Sequence, residues 1–221
     1  VSCCSIAKLI VMFSWCPNYR AKTPKLFQKI FPSLVWKNTT TEKKVWLTFD
    51  DGPTPEATPF ILDILQKNNV TATFFCLGKQ IEKYPEITQR IEAESHSIGN
   101  HSFSHPNGFT TCTKKYLEDV EKCQNLIPKT TLFRPPFGKI YPWQINKLKN
   151  YYKIIMWDVM GWDFDKNTSK EKCLSNVVNN VESGSIIVLH DNEKSFENLQ
   201  FALPKIIGIL KERGFAFSTT W

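Results

Sequence analysis

The sequence predicts an α/β fold built on one parallel sheet, and three observations carry that expectation. Short runs rich in branched and aromatic residues alternate with longer amphipathic runs. The order strand, helix, strand repeats along the whole chain, and strands that follow one another through helices pair in parallel. The chain has 221 residues, 42% hydrophobic and 22% charged, which is enough for one self-sufficient core and excludes disorder. No internal repeat, low-complexity tract or linker divides it.

The elements follow in order. Residues 1–42, rich in proline and aromatic residues, are expected to form an N-terminal extension that packs across the outside of the sheet, leaving 43–221 as the principal domain. The apolar stretch from Ile6 to Trp15 carries Lys8 and stops at Cys16-Pro17. It falls short of the ~20 apolar residues that a membrane-spanning helix needs. It can be the remnant of a targeting segment, or Met12 can be the natural start and the first eleven residues incidental. Seven strands are expected at 45–49, 71–76, 97–99, 131–133, 154–157, 185–189 and 215–217. Helical spacing is found at 56–68, 79–93, 113–126, 142–150, 169–181 and 196–213, with Gly214 as a C-cap candidate after the last.

Charge and cysteine content narrow the function classes. Twenty-eight Lys and Arg against 21 Asp and Glu give a net +7, which favours anionic partners. The basic residues are spread in pairs such as Lys43-Lys44 and Lys114-Lys115, without a basic-aromatic ribonucleoprotein motif, so nucleic acid is not the expected partner. Seven cysteines are an odd number with no C-x-x-C spacing, and Cys76 lies inside an apolar run, so the thiols are expected to stay free.

In parallel α/β folds reactive residues gather at the carboxyl ends of the strands. The first strand runs into Asp50-Asp51-Gly52-Pro53, two adjacent carboxylates followed by a turn. After the third come His101 and His105, whose spacing lets both imidazoles face one way on a helical turn and bind one metal ion; His96 upstream points away and is expected to be a strand-end residue. The fourth ends in Arg134-Pro135-Pro136-Phe137-Gly138, a rigid turn that places a guanidinium fork suited to a carboxylate. The fifth leads to Trp157-Asp158 and on to Asp163-Phe164-Asp165, and the sixth to Val188-Leu189-His190-Asp191. Together these residues suffice for metal-assisted hydrolysis. Two His and one Asp hold an ion with open positions, a second carboxylate takes the proton of a water, and a separate His protonates the leaving group. Backbone N–H groups in the Pro135-Pro136-Phe137 turn can steady an oxyanion.

These motifs, in this order, resemble those of the polysaccharide deacetylases, carbohydrate esterase family 4 or the NodB-homology domain, over about residues 43–218. The resemblance implies a distorted (β/α) barrel of about seven parallel strands, TIM-barrel-like, that hydrolyses the acetamide of N-acetylglucosamine-containing glycans of peptidoglycan or chitin type. By motif position it implies Asp50 as general base, with Asp51, His101 and His105 as ligands of one divalent transition metal, zinc foremost, with cobalt or nickel as alternatives. It implies that Arg134 orients the base, that His190 is the catalytic acid tuned by Asp163, and that the Phe137 N–H completes the oxyanion hole beside Pro136. Phe137 stands where Tyr is usual. Many members carry Asp in place of Met160, Trp in place of Phe164 and Leu in place of Val188, and the last two positions line the acetyl pocket. A monomer is expected, with the cellular address left open between envelope and cytoplasm. Two other readings compete: a related amide hydrolase of a small molecule, and a noncatalytic sugar-binding module, against which the presence of Asp50 and His190 argues.

Overall fold

The computed structural model describes residues 21–221. Ile6 to Trp15, Cys16-Pro17 and Met12, on which the targeting and start expectations rest, lie outside the described residues. Seven parallel strands form the expected curled sheet, in the order β5-β4-β3-β2-β1-β7-β6. They are β1 (Lys44–Asp50), β2 (Thr73–Cys76), β3 (Ser97–Asn100), β4 (Leu132–Phe133), β5 (Lys153–Ile154), β6 (Val159–Met160) and β7 (Ile186–His190). A short β8 (Ala216–Phe217) pairs in parallel with the start of β1.

Alternation along the strands sorts the core from the site. Val45, Leu47 and Phe49 of β1, with Ile187 and Leu189 of β7, face the outer helices α2 (Ala57–Lys67), α7 (Lys170–Val178) and α8 (Phe196–Glu212), where they pack with Ile61, Leu65, Leu203, Ile206 and Leu210. Each such side chain taken out of water contributes about 1.5–3 kcal/mol. The intervening residues must then face the barrel interior. Trp46 and Ile186 fill its lower part with Phe75, Leu132 and Ile155. The same alternation carries Thr48 and Asp50, Val188 and His190 up the inner wall, in register as neighbours across β1 and β7. At the bottom, the Trp46 indole donates to the Thr220 carbonyl and the Trp221 indole to Thr73 Oγ1.

The sheet is open between β5 and β6, and the segment before β1 spans that opening. Val35 accepts from Met156 and donates to Ile154, while Ala21 accepts from Met160 and the Thr23 N–H donates to Asp158. Lys22 anchors this segment through Asp158 at 2.7 Å and Glu182 at 3.0 Å. It also contains α1 (Lys25–Ile30), a helix that the sequence pattern did not predict.

Three further departures have physical causes. The amphipathic run 79–93 is two helices, α3 (Gly78–Lys83) and α4 (Pro85–Ala93), because Pro85 has no N–H to donate and drives Tyr84 out of the helical region (φ −131°, ψ 60°). The expected strand 154–157 stops at Ile154, and pairing resumes at Val159–Met160 as an additional strand. Two-residue strands bear too few positions to show alternation. The remaining helices, α5 (Thr113–Gln124) and α6 (Pro142–Leu148), end a residue or two inside their expected limits. Among the described residues the four cysteines are free, and no helix is long and apolar enough to cross a membrane.

Candidate functional site

The site sits at the carboxyl ends of the strands, and one of its walls is an ion pair. Arg134 follows β4 and is fully buried. Its guanidinium donates to Asp50 Oδ1 at 2.6 Å and Thr48 Oγ1 at 2.8 Å through one nitrogen, to the Met156 carbonyl at 3.0 Å through another, and to the Ile155 carbonyl through Nε. The Phe75 ring lies 4.0 Å beneath it. The fork expected to suit a carboxylate does hold one, with one prong on Asp50 and Thr48 and the rest locked to the strand-end carbonyls. Asp50 is held in one orientation by a cation that itself cannot move.

Asp51 turns away from its neighbour. Its φ of 84° lies in the left-handed region that a side-chain-bearing residue rarely adopts. This brings Oδ1 to 3.2 Å from His105 Nε2 and 3.6 Å from His101 Nε2. The two histidines do not lie on a helical turn as expected. They are on an irregular loop with positive φ at Ser102 and His105. Side chains hold that loop: Asn100 Oδ1 accepts from the Ser102 N–H, and Asp119 accepts from the N–H groups of Phe103 and Ser104 and from the Ser104 hydroxyl.

These residues fit a metal ion. The ligand atoms of Asp51, His101 and His105 all lie within 4.8 Å of one another. Asp51 Oδ1 is buried with no hydrogen-bond donor, a state that costs free energy unless a cation faces it. His101 Nδ1 stands 2.7 Å from the Arg134 carbonyl, so Nδ1 carries the proton and Nε2 presents its lone pair. Burial lowers the His101 pKa to about 4, which keeps the ring neutral. For Asp51 burial works in the opposite sense, but the close His105 imidazole, then His190 and His101, outweigh it and hold the carboxyl well below the usual range. Asn192 Nδ2 donates to Asp51 Oδ2 at 2.8 Å while Asn192 Oδ1 accepts from the N–H groups of Lys194 and Ser195. Asn192 fixes the ligand carboxylate, and sequence reasoning missed it, because an Asn after a strand end reads simply as a turn residue.

A second wall adjoins the first, since His190 is the register neighbour of Asp50 across β7 and β1. Asp163 is fully buried and accepts from the His190 backbone N–H at 2.6 Å and from His190 Nδ1 at 3.0 Å. Burial alone would lower the His190 pKa, but the charge and hydrogen bond of Asp163, helped by Asp51 and Asp50, raise it to about 9. Phe164 packs edge-on against the imidazole at 4.6 Å. Val188 is buried on the inner face below His190, between Thr48 and Met160 in register. Asp191 ties the loops together by accepting from the Gly52 N–H and the Thr58 hydroxyl. A Cβ on Gly52 would fall 1.8 Å from its carboxylate, so only glycine fits there.

The Pro135-Pro136-Phe137 turn narrows the oxyanion candidates. Neither proline has an N–H, and the N–H groups of Gly138 and Lys139 are spent on the Pro135 and Pro136 carbonyls, which leaves Phe137. Its φ is 59°, its ring lies edge-on to His105 at 4.4 Å, and it is 55% exposed. Three residues of the sequence motifs lie elsewhere. His96 is at the opposite end of β3, where Nδ1 accepts from the Ala72 N–H. Asp158 is bound to Lys22 and Ser185. Asp165 accepts from the Asn167 N–H in a loop turn.

Comparison with known proteins gives a consistent result. Residues 37–153 match the polysaccharide deacetylase family. That span includes Asp50, Asp51, both histidines and Arg134 and ends before Asp163 and His190. The chain is 38% identical over 183 residues to a peptidoglycan-N-acetylglucosamine deacetylase of Bacillus cereus, an alignment covering 80% of this chain and 66% of that protein. It is 30% identical to a chitooligosaccharide deacetylase of Azorhizobium caulinodans, covering 80% of this chain and 93% of the relative. The crystal structure of a peptidoglycan N-acetylglucosamine deacetylase in complex with 4-naphthalen-1-yl-N-oxidanyl-benzamide superimposes with a TM-score of 0.82 at 35% identity, covering 89% of this chain and 94% of the other. The chain thus spans just under two thirds of the first relative's length and nearly all of the other two.

Proposed function

We propose an N-deacetylase: the chain belongs to the polysaccharide deacetylase family, and its own residues supply the parts of an acetamide hydrolysis. The substrate is an N-acetylglucosamine-containing glycan of peptidoglycan or chitin type, and the products are a free amine and acetate. The observation that carries this reading is two held pairs at the ends of neighbouring strands, Asp50 bonded to Arg134 and His190 bonded to Asp163, with Asp51, His101 and His105 grouped beside them.

Asp51, His101 and His105 would hold one divalent transition metal, and Zn²⁺ suits two imidazoles and a carboxylate with open positions; cobalt and nickel are the alternatives. When bound, the ion supplies Lewis acidity, polarising the acetamide carbonyl and acidifying a water. Asp50, turned by Arg134, accepts the proton of the attacking water. The Phe137 N–H donates to the oxygen as negative charge develops on it. His190 enters the reaction protonated, since Asp163 holds its charge, and gives the proton from Nε2 to the departing amine. Phe164 and Val188 shape the pocket for the acetyl methyl group. The exposed ring of Phe137 beside His105, with the exposed Trp143 six residues further along the chain, favours a glycan over a small molecule in a closed pocket.

The test is acetate release across peptidoglycan, chitin oligomers, acetylxylan and small amides, before and after chelation. Release from the N-acetylated glycans, lost on chelation and restored by Zn²⁺, is expected. Full turnover in metal-stripped protein would overturn the assignment.

A further inference from the structure

The reaction leaves one built feature of the surface unused, a ladder of aromatic rings on the loop after His105 and on the turn that runs from Phe137 into the first residues of α6. Phe109 lies four residues beyond His105, and Tyr141 and Trp143 lie four and six beyond Phe137. Tyr141 and Trp143 are stacked, with centroids 4.2 Å apart and planes 16° apart, and Phe109 backs Tyr141 at 4.8 Å. The Trp143 indole N–H donates to Thr113 Oγ1 at 3.0 Å, so the ring is oriented although it is 48% exposed. Gln144 welds the two loops together, accepting from the Tyr141 N–H at 2.8 Å and donating to the Gly108 carbonyl at 3.1 Å. Their backbones touch there, since a Cβ on Gly108 would fall 2.2 Å from the Lys139 carbonyl.

We propose that Trp143, backed by Tyr141, is a stacking subsite for a pyranose ring of the glycan at least one sugar away from the one that loses its acetyl group. This rests on the deacetylase reading. A pyranose presents a face of C–H groups with hydroxyls at its rim. An indole held flat and already stacked on one side offers the complementary apolar surface, gaining burial and dispersion while the hydroxyls stay in water. Such a ring pays little ordering entropy on binding, because Thr113 and Tyr141 already fix it. The location follows from the chain. Six residues separate Trp143 from Phe137, whose ring covers the metal-ligating His105, so the two lie within ~20 Å. A substrate of several sugars can reach both. Among the described residues, the other large exposed hydrophobics, Leu26, Ile30, Leu126 and Tyr151, are on neither of these segments.

The experiment compares the N-acetylglucosamine pentamer with the dimer, by kcat/KM for acetate release and by calorimetric binding, in wild type, Trp143→Ala and Trp143→Tyr. In Trp143→Ala the pentamer-to-dimer ratio of kcat/KM should fall about tenfold, mostly through KM, with pentamer affinity falling alongside. Trp143→Tyr, which keeps an aromatic face, should recover most of it. Thermal melting establishes that each variant is folded. An unchanged ratio and unchanged pentamer affinity in folded Trp143→Ala would overturn the subsite. If the wild type releases no acetate, the deacetylase reading fails, and calorimetry still decides the subsite: pentamer binding that needs Trp143 upholds it, and binding that ignores Trp143, or no binding, refutes it.

Discussion

Two carboxylate–cation pairs stand side by side at the ends of β1 and β7, and they differ in the cation. On the β1/β4 side Asp50 meets Arg134, a guanidinium that stays charged throughout the working range and is bonded to four strand-end groups. On the β6/β7 side Asp163 meets His190, a group that can give up its proton. In the proposed reaction the first pair orients, and its carboxylate is the partner that takes the proton of the water. In the second the carboxylate is buried and doubly bonded, so the imidazole exchanges the proton. On the proposed mechanism, the difference in cation makes the carboxylate the base in one pair and the imidazole the acid in the other.

The contrast is broken most severely at His190. His190→Ala should slow acetate release by ~10²–10⁴-fold with metal content retained, measured at saturating substrate. Arg134→Lys keeps the charge but cannot bond four strand-end groups at once. Turnover of the metal-loaded variant should fall by about 10²-fold, the scale set by small misplacements of a reacting group. If metal content fell and turnover of the loaded protein did not, Arg134 would serve the fold alone.

The pH profile sharpens the comparison further. The His190 pKa is raised by Asp163 to about 9, so activity should decline as pH rises through that value. Asp163→Asn should move this limb down, toward the ordinary imidazole value of about 6.5. The linkage has the same sign for stability. The contribution of the His190–Asp163 pair is complete below about pH 6.5 and is lost as pH climbs through about 9, which denaturation at pH 6 and pH 10 can measure. The smallest effect expected is at Asn192. Asn192→Ser keeps an oxygen that can accept from the turn N–H groups but loses the amide that holds Asp51, and should weaken metal binding about tenfold in chelator competition with little change in melting.

The parts of this site that were legible in the sequence sit on strand ends. Asp50 and His190 could be placed because each ends a nearly continuous apolar run, which reads as a buried parallel strand and marks where its carboxyl end lies. The His101–His105 geometry was not legible. Its spacing suggested a helical turn, whereas Asn100 and the distant Asp119 bend the loop into positive φ, a tertiary constraint that no local pattern announces. Strand β6 escaped for want of length, and Asn192 for want of any distinguishing neighbour. The break at Pro85 was legible and the 3.6-residue period obscured it, because hydrophobic spacing continues across a proline that the backbone cannot follow.

The account turns on the separate duties of two adjacent carboxylates, and one measurement addresses both: metal content by mass spectrometry beside acetate release in Asp50→Asn and Asp51→Ala. Asp50→Asn should fold, retain its metal and turn over ~10²–10⁴-fold more slowly. Asp51→Ala should lose metal and activity together. The opposite pattern, with metal lost from Asp50→Asn and kept by Asp51→Ala, would reverse the two roles, and full metal and activity in both would place the reaction elsewhere.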